Sequence, residues 1–225
     1  MQERNSNEPR CTRCGTCCIQ GGPALHVQDR PLIEDGTIPL ADIVTLRPGE
    51  RVYDQPRGGI VVLDAEMLKI RGRDNTWTCV FYNHEGHDCA IYGSRPVECD
   101  VLFCRDIAPL AAMYDKGRLT RRDLLPEGHP LLALLDEHDA RCAPADVEAA
   151  ARLARDGDAE AGRALREMVR YDRELRKLTT DKGGMDPAMG DFLFGRPLSA
   201  LLQTMNIKIY DMGESIRFDF APGER

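Results

Sequence analysis

Cys11-Thr-Arg-Cys14-Gly-Thr-Cys17-Cys18 places four thiols within eight residues. Such a loop is constrained before any tertiary contact forms. The two-residue gap lets both sulfurs of a Cys-x-x-Cys step approach one centre while backbone amides point inward at the thiolates. Gly15 allows backbone geometry that a side chain would hinder. Four more cysteines follow at Cys79, Cys89, Cys99 and Cys104, so eight of the nine fall in the first 104 residues. Their gaps of nine, nine and four residues are not the paired knuckles of a zinc ribbon, yet ligands to one ion can come from anywhere in a fold. Cys142 stands apart on a helical stretch and reads as a small apolar core residue.

What these thiols do depends on the compartment. Met1 to Arg10 is polar and charged, with no apolar h-region, and does not read as a secretory signal. No apolar run approaches the ~20 residues of a membrane span. The expectation is a cytoplasmic protein without a membrane partner, where thiols stay reduced and clustered cysteines indicate metal binding or redox chemistry. Buried structural thiols, a closed zinc site and an iron–sulfur centre are the competing readings. The serial Cys-x-x-Cys-x-x-Cys run is shared with loops that hold iron–sulfur clusters, but thiolate ligation alone suits zinc as well. Side chains of the adjacent pair Cys17-Cys18 diverge, so they address different metal atoms or leave one free reactive thiol. A net charge of −7 argues against non-specific nucleic-acid or anionic-membrane binding. A chain of 225 residues can bury a substantial core and does not need metal for all of its stability.

Along the chain, residues 1–10 read as a flexible tail and 26–36 as a short helix ended by Gly36. Ile43-Val44, Val52-Tyr53, Ile60 to Leu63 and Met67 to Ile70 are short β-prone runs. Pro48-Gly49, Pro56 and Gly58-Gly59 separate them, which predicts a small antiparallel meander. Trp77 to Tyr82 is a further strand candidate, and Ser94 is a candidate cap for a helix starting at Arg95-Pro96. The second half reads as helical: Pro130 to Asp139, Ala145 to Arg155, and a long helix from an Asp158 cap to about Thr180. On the last, Ala161, Ala164, Met168, Tyr171, Leu175 and Leu178 recur at steps of three and four. That seam predicts packing within the chain, with a homodimer through the 158–180 helix as the alternative. A helix over Pro197 to Met205 leads into a hairpin of Ile207 to Tyr210 and Ile216 to Phe220, turned at Met212-Gly213-Glu214.

The ordered pattern of the N-terminal loop, then Cys79-Val-Phe-Tyr82, then Cys89-Ala-Ile-Tyr92-Gly-Ser-Arg95-Pro96-Val-Glu-Cys99 resembles the YkgJ-type cysteine-cluster family over about residues 11–104. That family is described as a zinc- or iron-chelating domain, and its pattern also occurs in a flagellin lysine methylase regarded as an iron–sulfur protein. The resemblance implies metal-ligand roles for Cys11, Cys14, Cys17, Cys18, Cys79, Cys89, Cys99 and Cys104. It brings no settled reaction. One departure stands out: the family usually has a basic residue after the cysteine that follows Arg-Pro, and here that residue is Asp100. Arg95 or Arg105 are the candidates to replace its charge.

Tyr92 and Arg95 are the expected cofactor-side residues. They shape the second cysteine loop, and Arg95 is a candidate donor to cluster sulfurs, which would raise a reduction potential. His84 and His87 lie in a segment rich in Asn, Gly and Asp that reads as a solvated turn rather than as metal ligands. His26, His129 and His138 have no partners suggested by sequence. Neither Gly21-Gly22 nor Gly58-Gly59 belongs to a phosphate-loop fingerprint.

The expectation is therefore an α+β chain. A cysteine-cluster metal-binding domain of loops and short antiparallel strands spans 1–115, and a helical region with a C-terminal β-hairpin spans 116–225. The first functional expectation is a cysteine-ligated iron–sulfur cluster, [4Fe–4S] in type, with a redox or electron-transfer role and a redox or protein partner. The alternative is a structural zinc module mediating protein interaction. A metal-dependent modification enzyme comes third, because no methyl-donor fingerprint is visible.

Overall fold

The computed structural model describes residues 11–55, 57–73, 76–103, 105–211 and 215–220. The tail Met1 to Arg10, Pro56, Cys104 and the Met212-Gly213-Glu214 turn lie outside the described residues. The fold is mixed α+β with short two-stranded antiparallel sheets and a C-terminal hairpin.

Helix α1 (Thr16–Gln20) carries the adjacent cysteines, and α2 (Arg30–Glu34) follows a 3-10 turn over Val27–Asp29. Strands β1 (Ile43–Leu46), β2 (Arg51–Tyr53), β3 (Ile60–Val62) and β4 (Met67–Ile70) fall where the apolar runs predicted them. Their pairing corrects the expected meander. β2 pairs with β3 as a hairpin, and β1 pairs with β4 around it. The reason is burial: Ile43, Leu46, Met67, Leu68 and Ile70 are buried, while Tyr53, Ile60 and Val62 are exposed. β1 and β4 thus pack on two sides, Ile43, Leu68 and Ile70 in the main apolar cluster and Leu46 and Met67 in a smaller one with Ala24 and Leu63, while β2–β3 carries the exposed residues.

Trp77 to Tyr82 is not one strand. Thr76 turns back on the Arg73 carbonyl through both its amide and its hydroxyl, and Cys79 makes only an isolated bridge to Gly72. Tyr82 then opens β5 (Tyr82–Asn83), which pairs with β6 (Asp88–Cys89). Ser94 does not cap the next helix. It ends a 3-10 turn, and α3 (Val97–Val101) begins after Pro96. The orphan Val97 amide donates instead to Asp29 Oδ1 at 2.8 Å, a cap from 68 residues away.

The remaining helices are α4 (Ala108–Met113), α5 (Arg121–Leu124), α6 (Pro130–Arg141), α7 (Pro144–Arg155), α8 (Ala159–Asp181), α9 (Gly190–Phe194) and α10 (Leu198–Thr204), before strands β7 (Ile207–Asp211) and β8 (Ile216–Phe220). Asp158 caps α8 as predicted, accepting from the Glu160 and Ala161 amides at 2.8 and 3.0 Å. The buried face of α8 is offset from the predicted seam. It runs through Ala161, Gly162, Leu165, Val169, Asp172 and Leu175, with Leu178 exposed. The difference is Asp172, whose carboxylate accepts from His138 Nε2 (2.9 Å), Arg176 Nε (2.9 Å) and the Leu198 amide (3.1 Å). A fully satisfied carboxylate occupies the middle of an otherwise apolar face.

One apolar cluster joins Leu25, Ile43, Leu68 and Tyr82 to Leu135, Leu175 and Phe192 to Phe194. A second holds Cys142, Val147, Leu165, Val169, Leu198, Leu202 and Ile207. No helix among the described residues is long and apolar enough to cross a membrane.

Candidate metal centre

The first cysteine loop is shaped by two left-handed residues, Arg13 (φ +58°) and Gly15 (φ +78°), before α1 starts. A Cβ on Gly15 would lie 2.0 Å from Tyr82 Oη, so glycine serves both the turn and the close approach of this buried phenol. The Cys79 amide donates to the Cys18 carbonyl at 2.7 Å and stitches the second cysteine segment to the first. Cys89 lies on β6 directly opposite Tyr82 in β5. Cys99 lies on α3, which Asp29 caps and the buried Glu98 anchors. Glu98 accepts from the Ala24 amide at 2.8 Å and pairs with His26 Nε2 at 3.1 Å, while His26 Nδ1 lies 2.8 Å from the Lys116 carbonyl oxygen. Four separated stretches thereby reach one place.

Electrostatics binds the thiols into a set. The Cys18 thiol donates to Cys17 Sγ; with the Cys18 amide and the Arg95 charge this lowers the Cys17 pKa to about 6, against the effect of burial. Cys18 is raised by that donation, by burial and by the charges of Cys17, Cys79 and Cys99. Burial raises Cys79, and Cys89 and Cys17 add to it. Cys99 is held well above an ordinary thiol, chiefly by burial and then by Cys79, Cys17 and Cys89. Cys89 is raised by burial, with Cys11 contributing and Arg95 opposing. Cys14, fully exposed, is lowered by the hydroxyl and amide of Thr16 and feels Cys17. Cys142 belongs elsewhere: it is buried in the second apolar cluster, where desolvation pushes its pKa up to about 12.

Arg95 and Tyr92 sit among these thiols. The guanidiniums of Arg13 and Arg95 each lie 4.0 Å from the Tyr92 ring centroid, so the ring links the first loop to the second. Arg95 Nη2 donates to Asp100 Oδ1 at 2.7 Å. Asp100, the departure from the family pattern, thus orients the neighbouring arginine. Arg95 Nε is buried without a hydrogen-bond partner, and its charge is felt by Cys17 and Cys89.

Among the described residues no three Cys, His, Asp or Glu side chains stand close enough together to hold an ion as placed. Those cysteines are free thiols. The donor chemistry nonetheless fits a metal group. Thiols held protonated by burial, and then by one another's charge, become ligands once a cation stabilises the thiolates, with release of protons. The unpartnered Arg95 Nε supplies a donor that a ligated sulfur would satisfy. His84 stacks edge-on to Tyr82 in the exposed β5–β6 turn, His87 Nδ1 lies 3.2 Å from Tyr82 Oη, and His26 is tied to Glu98.

Sequence reasoning named the cysteines, Tyr92 and Arg95 as candidates, gave His26 no partner, and named none of Asp29, Glu98 and Lys69. The signal available was weak: His26 and Lys69 are polar residues between apolar neighbours, while Asp29 lies between Gln28 and Arg30 and Glu98 in a mixed run. Lys69, flanked by Leu68 and Ile70, is the clearest case.

Residues 10–111 match the family model "CxxCxxCC: Putative zinc- or iron-chelating domain". No curated protein and no solved structure matches the chain.

Proposed function

From the premise that residues 10–111 form a zinc- or iron-chelating domain of the CxxCxxCC type, we propose that the chain holds a cysteine-ligated iron–sulfur cluster with an electron-transfer role in the cytoplasm. The observation that carries this reading is the mutual electrostatics of Cys17, Cys79, Cys89 and Cys99, with the Arg95 charge felt by Cys17 and Cys89. These four are the proposed ligands of a [4Fe–4S] group, with Cys11, Cys14 and Cys18 beside them. When bound, such a group supplies one-electron transfer at a potential set by its surroundings.

The protein's own residues do the rest. Cys17, with its pKa near 6, is deprotonated at neutral pH and offers the first thiolate. The Cys79 and Cys99 thiols, held protonated in the metal-free chain, give up their protons as positive charge arrives. Arg95, held by Asp100 and Tyr92, places its positive charge where Cys17 and Cys89 feel it and keeps Nε available as a donor to a ligated sulfur. A redox protein is the proposed partner.

The test is iron and acid-labile sulfide content, with an absorption spectrum, on full-length protein purified without oxygen. Iron and sulfide in matching amounts, with visible absorption that bleaches on reduction, support the cluster. Stoichiometric zinc without sulfide or colour would leave metal binding standing and replace the redox role with a structural zinc module that serves protein interaction.

A further inference from the structure

We propose that Lys69 is the built-in countercharge of the cysteine site, holding its ammonium among the segments that carry Cys18, Cys79 and Cys99. The proposal deepens the metal-binding reading and rests on it. Its basis is the position of β4. Leu68 and Ile70 are fully buried on the core side, so strand alternation sends Lys69 to the other face. Lys69 bridges Ala24, whose amide donates to Glu98 Oε2, one residue before Cys99. The continuation of the same strand bridges to Cys79 through Gly72, and Arg71 accepts from the Val80 amide. A Cβ on Gly21, the residue that ends the cysteine helix α1, would lie 3.8 Å from Lys69 Nζ. The end of the first cysteine segment thus lies beside the Lys69 ammonium, and backbone contacts of its strand reach the segments that carry Cys79 and Cys99.

The charges around Lys69 agree with that frame. Burial holds the Lys69 pKa below that of an ordinary lysine, with Arg118 adding to the effect, while Glu98, Cys99 and Cys79 favour the charged form; thiolates formed beside it would favour it further. Both Glu98 oxygens are already engaged, by the Ala24 amide and by His26. Among the described residues no carboxylate forms an ion pair with Lys69 and no hydrogen bond holds its side chain. A half-buried lysine without a fixed partner, on the strand that joins the cysteine segments, is placed to offset the charge of thiolates formed there.

The experiment is an anaerobic competition titration of zinc ion alone between the full-length chain and a chromophoric chelator. It compares wild type with Lys69→Met, Lys69→Gln, Lys69→Arg and the exposed control Lys208→Met, and takes the metal-free melting point of each. We expect Met and Gln to weaken zinc affinity by about 10–100-fold, the usual effect of losing a partner behind a metal ligand. Arg should stay near wild type, and so should Lys208→Met. A packing role would give the reverse order, with Met best tolerated and Arg worst, and would lower the metal-free melting point in parallel. That order, or Met and Gln binding zinc like wild type, overturns the proposal. Gln reads the loss of charge even if Met fails to fold. Wild type that takes up neither zinc here nor iron and sulfide on anaerobic reconstitution overturns the metal reading itself, and Lys69 with it.

Discussion

Cys17 and Cys142 are the two extremes of thiol environment in this chain. Cys17 accepts a hydrogen bond from its neighbour and feels Arg95, which brings its pKa to about 6. Cys142 is sealed in the second apolar cluster, with a pKa near 12. Iodoacetamide treatment of the native, metal-free chain across pH 5 to 8, read by peptide mass spectrometry, should therefore label Cys17 with a rise centred near pH 6 and leave Cys142 unlabelled. Below that pH Cys17 is protonated and unreactive; above it the thiolate is the nucleophile. The same contrast governs substitution. Cys99→Ser should weaken metal affinity by at least ~100-fold, whereas Cys142→Ser should leave it unchanged in a chelator competition. The spacing of the cysteines was enough to separate these two classes from sequence. It was not enough to find Glu98, His26 or Asp29: the one local link, the His26 amide to Asp29 Oδ2 at 2.9 Å, only closes a turn, and the bonds that tie these residues to the cysteine helix α3 span 72, 74 and 68 residues.

Helix starts and apolar strands were readable because their signals are local: the Asp158 cap, the leucines of α6 and the β-branched runs of β1 to β4. Pairing and facing were not. β1 and β4 associate because both are buried, a property of the core rather than of either run. On α8 the apolar count alone selected Ala164, Met168 and Tyr171, yet the face is centred on Asp172, which no apolar tally would include. Its carboxylate is held below the ordinary range: burial works against this, but the bonds from His138 and Leu198 and the charge of Arg176 outweigh it. Asp172→Ala would strand His138 without an acceptor and free the Leu198 amide at the start of α10. We expect a loss of about 3–5 kcal/mol, read from the shift in a urea midpoint at unchanged slope. A loss under 1 kcal/mol would show that the network is not what joins α6, α8 and α10.

The cysteine segments and the helices share the cluster that runs from Leu25 and Leu68 to Leu175 and Phe192, whereas the cluster around Leu165, Val169 and Leu202 contains no residue of the cysteine segments. Metal removal should accordingly act unevenly. After chelation, amide exchange should accelerate in residues 11–22 and 78–103, including the Cys79 amide that donates to Cys18, while α7 and the first half of α8 keep their protection. Uniform acceleration would mean that the metal holds the whole molecule together. The central claim is that cysteines from four stretches of sequence make one thiolate centre without histidine. X-ray absorption at the edge of the bound metal, on full-length protein, reads that directly. The account predicts a shell of sulfur only, at ~2.3 Å for zinc, with an added metal–metal distance if the metal is iron in a cluster. Nitrogen or oxygen ligands from the protein in that shell would contradict it.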